Sequence, residues 1–267
     1  MRLLLISGSH SRHLHVMQQL LQVDNPVGVI VMQREATVPD APQTINKADA
    51  AIFKKHFDIR QEVEDREYGK LLHEEVFQNF PILERSSENL NSPETAQFIQ
   101  KCNPTACIIF GSDLINGEAL KSLPPFTLNF HLGLSPWYRG SATLFWPFYF
   151  MEPQFAGSTI HKIVLEADAG SVLQQTVPKL SANMGIHDVG AASVKAGCKD
   201  LVKALELFKD SQNMTFSEQK TSGRLFLTKD FLPHHLRVNY NLFNDKMTEA
   251  FLDGSLGKKI PRLIQNI

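Results

Sequence analysis

Asn129 and His131 close an apolar run, Phe126-Thr127-Leu128-Asn129-Phe130-His131. On a strand, a separation of two residues puts both side chains on one face. An amide donor beside an imidazole that can take or give a proton suits the holding of a developing oxyanion while a proton moves. Asp168 follows in the glycine-terminated turn Glu166-Ala167-Asp168-Ala169-Gly170. A chain returning there can bring a carboxylate to His131, raising the imidazole pKa and fixing the ring. Spacing alone leaves a second reading open, in which all three are turn residues bonded to nearby backbone.

Other polar clusters also end apolar runs. Gly8 to His13 follows the first one, and Arg12 with His10 and His13 stands either to bind an anionic group at a helix start or to form a solvated turn. Gly111 to Asp113 follows another. On the loop after His131, Trp137 and Tyr138 are candidates to stack on a nucleobase and Arg139 to meet a phosphate. The later aromatics Phe145, Trp146, Phe148, Tyr149 and Phe150 fit better as core. His234-His235 lacks zinc-ligand spacing, and no metal site is expected.

The elements that must position these residues read as an α/β fold. Leu3 to Ser7, the Gly8 turn, apolar positions Leu14, Met17, Leu20 and Leu21, and then Val27 to Met32 make a strand, helix and strand. Continuous apolar runs mean strands covered on both faces, hence a mostly parallel sheet with right-handed crossovers. Residues 34–80 read as solvated helices, Ser92-Pro93-Glu94 as a helix start, and Ala106 to Phe110 and Phe126 to His131 as buried strands. Gly157 to Leu165 and Ser171 to Pro178 read as two more strands, and Val189 to Phe208 as a long helix. The main domain ends near residue 210. In the appendage, 211–267, Arg224 to Thr228 reads as a strand, and Leu236, Tyr240, Phe243, Met247 and Phe251 as one helical apolar stripe. That stripe needs cover from the main domain or from a second subunit.

At 267 residues, with 43% hydrophobic and 21% charged residues, the chain can bury a full core. A net charge of -1 disfavours a large nucleic-acid partner. The three cysteines lack metal-ligand spacing and read as reduced thiols. No run approaches a membrane span, and the apolar start is too short for a signal peptide, so a cytoplasmic protein is expected.

The block Leu128-Asn129-Phe130-His131-Leu132-Gly133-Leu134-Ser135-Pro136-Trp137-Tyr138-Arg139-Gly140, with Gly157-Ser158-Thr159-Ile160-His161 and Asp168-Ala169-Gly170 after it, resembles the signature of the folate-dependent formyltransferases. That family includes glycinamide ribonucleotide formyltransferase, the N-terminal domain of methionyl-tRNA formyltransferase and the N-formyltransferases of nucleotide-linked amino sugars. The resemblance runs from residue 1 to about 210 and is sharpest from about 106 to 175. It implies a Rossmann-like three-layer α/β/α domain with a mostly parallel sheet, followed by a small C-terminal α+β extension. It also implies formyl transfer from N10-formyltetrahydrofolate to a primary amine, with Asn129, His131 and Asp168 on the family's catalytic Asn, His and Asp.

The folate pocket is then expected from the backbone of Phe110, Gly111, Ser112, Asp113, Leu114 and Ile115 and from the turn around Asp168, and the acceptor contacts from Arg12, Trp137, Tyr138 and Arg139. Ser135-Pro136 stands where Leu-Pro is common, and Gly8-Ser9-His10-Ser11-Arg12-His13 is not the phosphate-binding glycine loop of the purine enzyme. The altered loop disfavours glycinamide ribonucleotide, and the short tail without a basic surplus disfavours tRNA. The tail resembles that of the amino-sugar enzymes, whose C-terminal additions help form dimers. The favoured acceptor is therefore a nucleotide-linked amino sugar of surface polysaccharide synthesis, used by a homodimer. A formyl-folate hydrolase and a non-catalytic folate or nucleotide sensor are the alternatives.

Overall fold

The computed structural model describes residues 1–34, 38–42, 44–220 and 223–267. In chain order the elements are β1 (Leu3–Gly8), α1 (Ser11–Leu21), β2 (Pro26–Met32), α2 (Lys47–Tyr68), α3 (His73–Val76), β3 (Ile82–Arg85), α4 (Pro93–Cys102), β4 (Ala106–Phe110), α5 (Gly117–Lys121), β5 (Phe126–His131), β6 (Arg139–Gly140), α6 (Trp146–Tyr149), β7 (Ser158–Lys162), β8 (Val172–Thr176), α7 (Ile186–Lys209), β9 (Leu225–Phe226) and α8 (Met247–Leu252).

Seven strands form one sheet in the order β3-β2-β1-β4-β5-β7-β8. The strands from β3 to β5 are parallel, and β7 runs antiparallel to both its neighbours, β5 and β8. Strand alternation sorts the apolar runs into two layers. Leu3, Leu5, Val29, Val31, Ile108, Leu128 and Phe130 pack with Leu14 and Met17 of α1, Val63 of α2 and Val194 and Leu201 of α7. Leu4, Ile6, Ile30, Met32, Cys107 and Ile109 pack with Ile99 of α4 and Ala119 of α5 on the other face. The fold is thus an α/β/α sandwich with a mostly parallel, Rossmann-like sheet.

Strand order reverses between β1 and β4, and in such sheets the ligand crevice opens outside the carboxyl ends at that point. Gly8 and Gly111 end those two strands, with the buried His13 ring against both. A Cβ on Gly8 would lie 2.3 Å from His13 Nδ1, and one on Gly111, which has φ +81°, 2.5 Å from His13 Nε2. Both positions need glycine because an imidazole occupies the space.

Three features differ from the expected elements. Ile82–Arg85 is a strand at the sheet edge, where so short and half-charged a segment gives little apolar signal. Arg224 to Thr228 shrinks to the two-residue β9, paired in parallel with β6. The stripe from Leu236 to Phe251 is broken. A π-helical turn spans Val238–Leu242, Asn244 and Asp245 take φ of +49° and +58°, and α8 begins at Met247. The Asn-Asp pair tolerates this left-handed turn, and Asp245 Oδ1 accepts the Ile186 N–H at the start of α7, 3.0 Å away. Leu236, Tyr240 and Met247 are buried with Phe145, Trp146 and Phe148. Ile186 and Val189 of α7 complete the cover over these three, while Phe243 and Phe251 are half-buried. Among the described residues no helix is long and apolar enough to cross a membrane, and Cys102, Cys107 and Cys198 are buried free thiols.

Candidate active site

β5 pairs with β4 on one side and antiparallel with β7 on the other, in a register that sets Asn129 opposite His161. Leu128 and Phe130 point to the α7 layer, so by alternation Asn129 and His131 face the opposite side of the sheet. The turn after β7 folds back over that face and delivers Asp168.

The resulting cluster is tight. Asp168 Oδ1 lies 3.3 Å from His131 Nδ1, 3.3 Å from His161 Nε2 and 3.2 Å from Asn129 Nδ2, which donates to it. Asp168 Oδ2 accepts the Gly140 backbone N–H at 2.8 Å. His131 Nε2 donates to the Tyr138 carbonyl at 2.9 Å. His161 Nδ1 faces the Lys162 carbonyl at 2.8 Å, leaving its Nε2 to accept from Asn129 Nδ2 at 3.2 Å. The structure therefore brings together Asn129, His131 and Asp168, and adds His161.

Electrostatically, the His131 ring sits between two acceptors, a carboxylate oxygen and a carbonyl oxygen. A neutral imidazole has one N–H and satisfies only one of them, whereas an imidazolium satisfies both. Burial opposes that charge and holds the His131 pKa below its ordinary value, while Asp168 and the Tyr138 carbonyl pull it upward. For Asp168, burial pushes the carboxyl up but is outweighed by the neighbouring His131 and His161 rings and by the Gly140 N–H, which hold it well below the usual carboxylate range. The site is an ionised carboxylate beside an imidazole arranged to receive a proton.

The amide of Asn129 departs from expectation. Both its hydrogens point at His161 and Asp168, so one must be released before Asn129 can donate to a reacting oxygen.

Arg139 is the clearest correction. It is only 6% exposed, and its Nε and Nη2 donate to the Ala167 carbonyl at 2.9 and 2.7 Å. Its guanidinium holds the turn that carries Asp168 instead of facing solvent for a phosphate. Pairing of β6 with β9 fixes its backbone. Tyr138 is also buried, with its hydroxyl on Glu152 at 3.0 Å and its ring stacked over Phe226. Trp137 alone of the three stays partly open, at 38% exposure, with its ring in a T-shaped contact with Phe155.

In the expected donor loop, Phe110 and Ile115 are core residues. Asp113 is paired with Arg34 at 2.7 Å and Ser87 at 2.6 Å, and the Leu114 carbonyl accepts from Asn91. Of this loop, Gly111 to Leu114 is the part open to a ligand. Leu114 is 47% exposed here, and Leu165 is 64% exposed on the Asp168 turn. Apolar side chains left open on both loops suit a flat, partly apolar ring system.

Arg12 lies across the strand end from Asn129 and His131. It lines a half-open cavity of about 230 Å³ bounded also by Arg60, Glu64, His56, His187 and Leu132. Its guanidinium meets Glu64 at 2.6 Å, and Arg60 meets the same carboxylate at 3.2 Å. Thr143, also in the wall, donates to the Leu132 carbonyl beside His131.

Spacing does not reveal the role of His161, because its approach to Asn129 depends on the antiparallel register of β7. Its place at the end of the Gly157 to His161 run is the one local signal that marks it.

Solved structures of the same fold include a 4-N formyltransferase from Francisella tularensis, at 16% identity and a TM-score of 0.56, over 86% of this chain and 78% of that one. Phosphoribosylglycinamide formyltransferase from Anaplasma phagocytophilum aligns at 14% identity and TM-score 0.56, over 85% of this chain and 98% of that one. An N-formyltransferase from Helicobacter canadensis, in complex with folinic acid and dTDP-3-aminofucose, aligns at 15% identity and TM-score 0.56, over 86% and 72%. These likenesses establish the fold. The family model described as formyl transferase matches residues 1–205, which contain the whole Asn129, His131, His161 and Asp168 cluster. The chain belongs to the formyl transferase family.

Proposed function

We propose that the protein transfers a formyl group from N10-formyltetrahydrofolate to the primary amine of a nucleotide-linked amino sugar. The observation that carries the reading is the His131 ring held between the Asp168 carboxylate and the Tyr138 carbonyl, beside Asn129.

In this reading the acceptor amine attacks the formyl carbon, the new carbon–nitrogen bond forms, and the carbonyl oxygen becomes an oxyanion. Asn129 turns one amide hydrogen to that oxygen, and the His131 ring, once it has taken the amine's proton, releases the N–H now on the Tyr138 carbonyl to donate as well, each contact of a kind typically worth about 3–4 kcal/mol. The bond from N10 to the formyl carbon then breaks, and N10 takes a proton. The proton shed by the amine must travel. A carboxylate held as low as Asp168 is a weak proton acceptor. His131 therefore carries the proton between the two nitrogens, and Asp168 stabilises the imidazolium while it does so.

The donor is assigned to the Gly111 to Leu114 loop and the Asp168 turn, on the face that carries Asn129 and His131. The acceptor is assigned to the Arg12 cavity and the Trp137 loop across the strand end, with Arg12 available to an anionic group that displaces Glu64. The ligands of the Helicobacter canadensis protein, a folate and a dTDP-linked amino sugar, support these two classes for a fold of this kind.

The test is a panel of nucleotide-linked amino sugars incubated with the formyl donor and followed by mass spectrometry. Formylated sugar appearing in step with tetrahydrofolate supports the reading. Tetrahydrofolate released at the same rate without any amine replaces it with a hydrolase. Donor binding with no turnover on any amine leaves a non-catalytic module.

A further inference from the structure

Gln219 comes from the segment beyond the family-matched residues and reaches the turn that carries Asp168. Its Nε2 donates to the carbonyls of Asp168 and Gly170, both at 2.8 Å. A primary amide has two hydrogens on nitrogen, so both are spent on this one turn. Its Oε1 is buried without a hydrogen-bond partner among the described residues. A buried acceptor left unpaired is a standing cost, borne here to aim the nitrogen side at the turn.

The support under Gln219 is firm. Ser217 and Val172 exchange both backbone hydrogen bonds at 2.8 Å, and Asn266 Nδ2 donates to Ser217 Oγ at 3.2 Å. The turn itself needs holding. Asp168 has φ +49°, a left-handed conformation that costs a side-chain-bearing residue energy, and its carboxylate must meet His131, His161, Asn129 and the Gly140 N–H together. Arg139 fixes the Ala167 carbonyl, and Gln219 fixes those of Asp168 and Gly170.

We infer that Gln219 is a positioning residue of the active site: by tying down the carbonyls of Asp168 and Gly170, it sets the Asp168 carboxylate against His131. Gln219 touches neither the imidazole nor the carboxylate, so it acts through the turn. The inference rests on the proposed formyl transfer for its kinetic arm only.

The experiment replaces Gln219 with Met, which keeps the bulk and removes both donors, and follows His131 by NMR of the 15N-labelled imidazole across pH. The groups facing that ring are Asp168 from the turn, His161 from β7, and Arg139 with the Tyr138 carbonyl from the loop after β5. Of these, Asp168 is the one Gln219 controls, and it favours the protonated ring. Loosening it therefore moves the His131 midpoint to lower pH, by about half a unit or more, with turnover down about tenfold and both KM values within about threefold. In an Asp168→Asn background the same Gln219→Met change costs less than about twofold, because the carboxylate it positions is gone.

A residue with a merely structural role would lower the melting temperature, leave the His131 midpoint and the turnover per folded molecule unmoved, and add in full to Asp168→Asn. Those results overturn the inference. If Gln219→Met does not fold, Gln219→Asn withdraws the amide by one methylene and gives the same readout at smaller amplitude. An unmoved midpoint in the folded variant overturns the inference even where the parent transfers formyl groups. A moved midpoint in a parent that transfers none keeps the positioning and removes the formyl-transfer reading.

Discussion

His131 and His161 lie with ring centroids 6.3 Å apart, and His56 and His187 lie 4.4 Å apart. His131, His161 and His56 are buried, and His187 is half-buried in the cavity wall. The first pair shares a carboxylate oxygen, Asp168 Oδ1, at 3.3 Å from each. In the second, His56 Nδ1 meets the Tyr240 hydroxyl at 3.0 Å and His187 Nε2 at 3.2 Å, and a neutral relay of donors and acceptors suffices. Burial drives the His187 pKa down to about 3 and that of His56 well below its ordinary value, with Arg60 adding to both. Burial acts on His131 as well, but there Asp168 and the Tyr138 carbonyl oppose it. Burial beside the Arg60 cation makes a histidine an inert packing group, whereas burial with a carboxylate in direct contact makes one that can exchange a proton.

The sharpest way to break this contrast is to remove the ring that the carboxylate serves. His131→Asn keeps a polar group of similar reach and should lower turnover by about 10²–10⁴ while leaving the folded fraction and the donor affinity within a few-fold. Turnover per folded molecule is the measurement, and an unchanged value would remove His131 from the chemistry.

The next largest effect is expected at the carboxylate. Asp168→Asn retains the size and part of the hydrogen bonding but withdraws the charge that supports an imidazolium, so turnover should fall by about 10² or more. Asp168 favours the charged ring, so its loss moves the His131 midpoint, and with it the acid limb of the rate profile, to lower pH. A normal rate with only a lowered melting temperature would make Asp168 a turn residue and erase the difference between the two pairs.

Arg139→Lys tests how firmly that turn must be held. The guanidinium fork reaches the Ala167 carbonyl through two nitrogens, and a lysine offers a single flexible donor in its place. Turnover should drop about tenfold, equivalent to about 1.4 kcal/mol of barrier, with acceptor KM nearly unchanged. A large rise in acceptor KM at constant turnover would return Arg139 to the role of a phosphate ligand.

These side chains also mark where sequence patterns stop. The shared face of Asn129 and His131 was legible because strand alternation is local, and Asp168 was legible through its motif. The burial of Arg139 was not, since it depends on a two-residue strand pairing with a segment more than eighty positions later. The break in the stripe after Leu236 was hidden for a related reason: apolar spacing continued through Asn244-Asp245 while the backbone turned to cap α7. His161 and Gln219 act through register and through a tertiary bridge, neither of which leaves a periodic trace.

The smallest effect is expected in the second pair, where the readout is stability. An unfolded histidine titrates near 6.5, and folded His187 titrates at about 3. Between those values the unfolded chain holds a proton that the folded chain lacks, so stability falls as pH drops. The loss is absent above about pH 7, begins as pH passes through 6.5 and reaches about 1.4 kcal/mol at pH 5.5 for one such group. Carboxylates held low in the fold, Asp168 among them, add their own acid loss only near and below the ordinary carboxylate range, about pH 4, and Asp245, which burial holds above its ordinary value, acts alike in parent and variant. His187→Gln keeps a donor and an acceptor but cannot titrate. The variant has its own constant cost at every pH, so the telling quantity is the difference in melting temperature between pH 7 and pH 5.5. That difference should shrink by about 3–5 °C relative to the parent, at roughly 2–4 °C per kcal/mol for a chain of this size. An equal acid loss in parent and variant would mean that His187 protonates without penalty in the fold, and the two pairs would then differ in neighbours but not in chemistry.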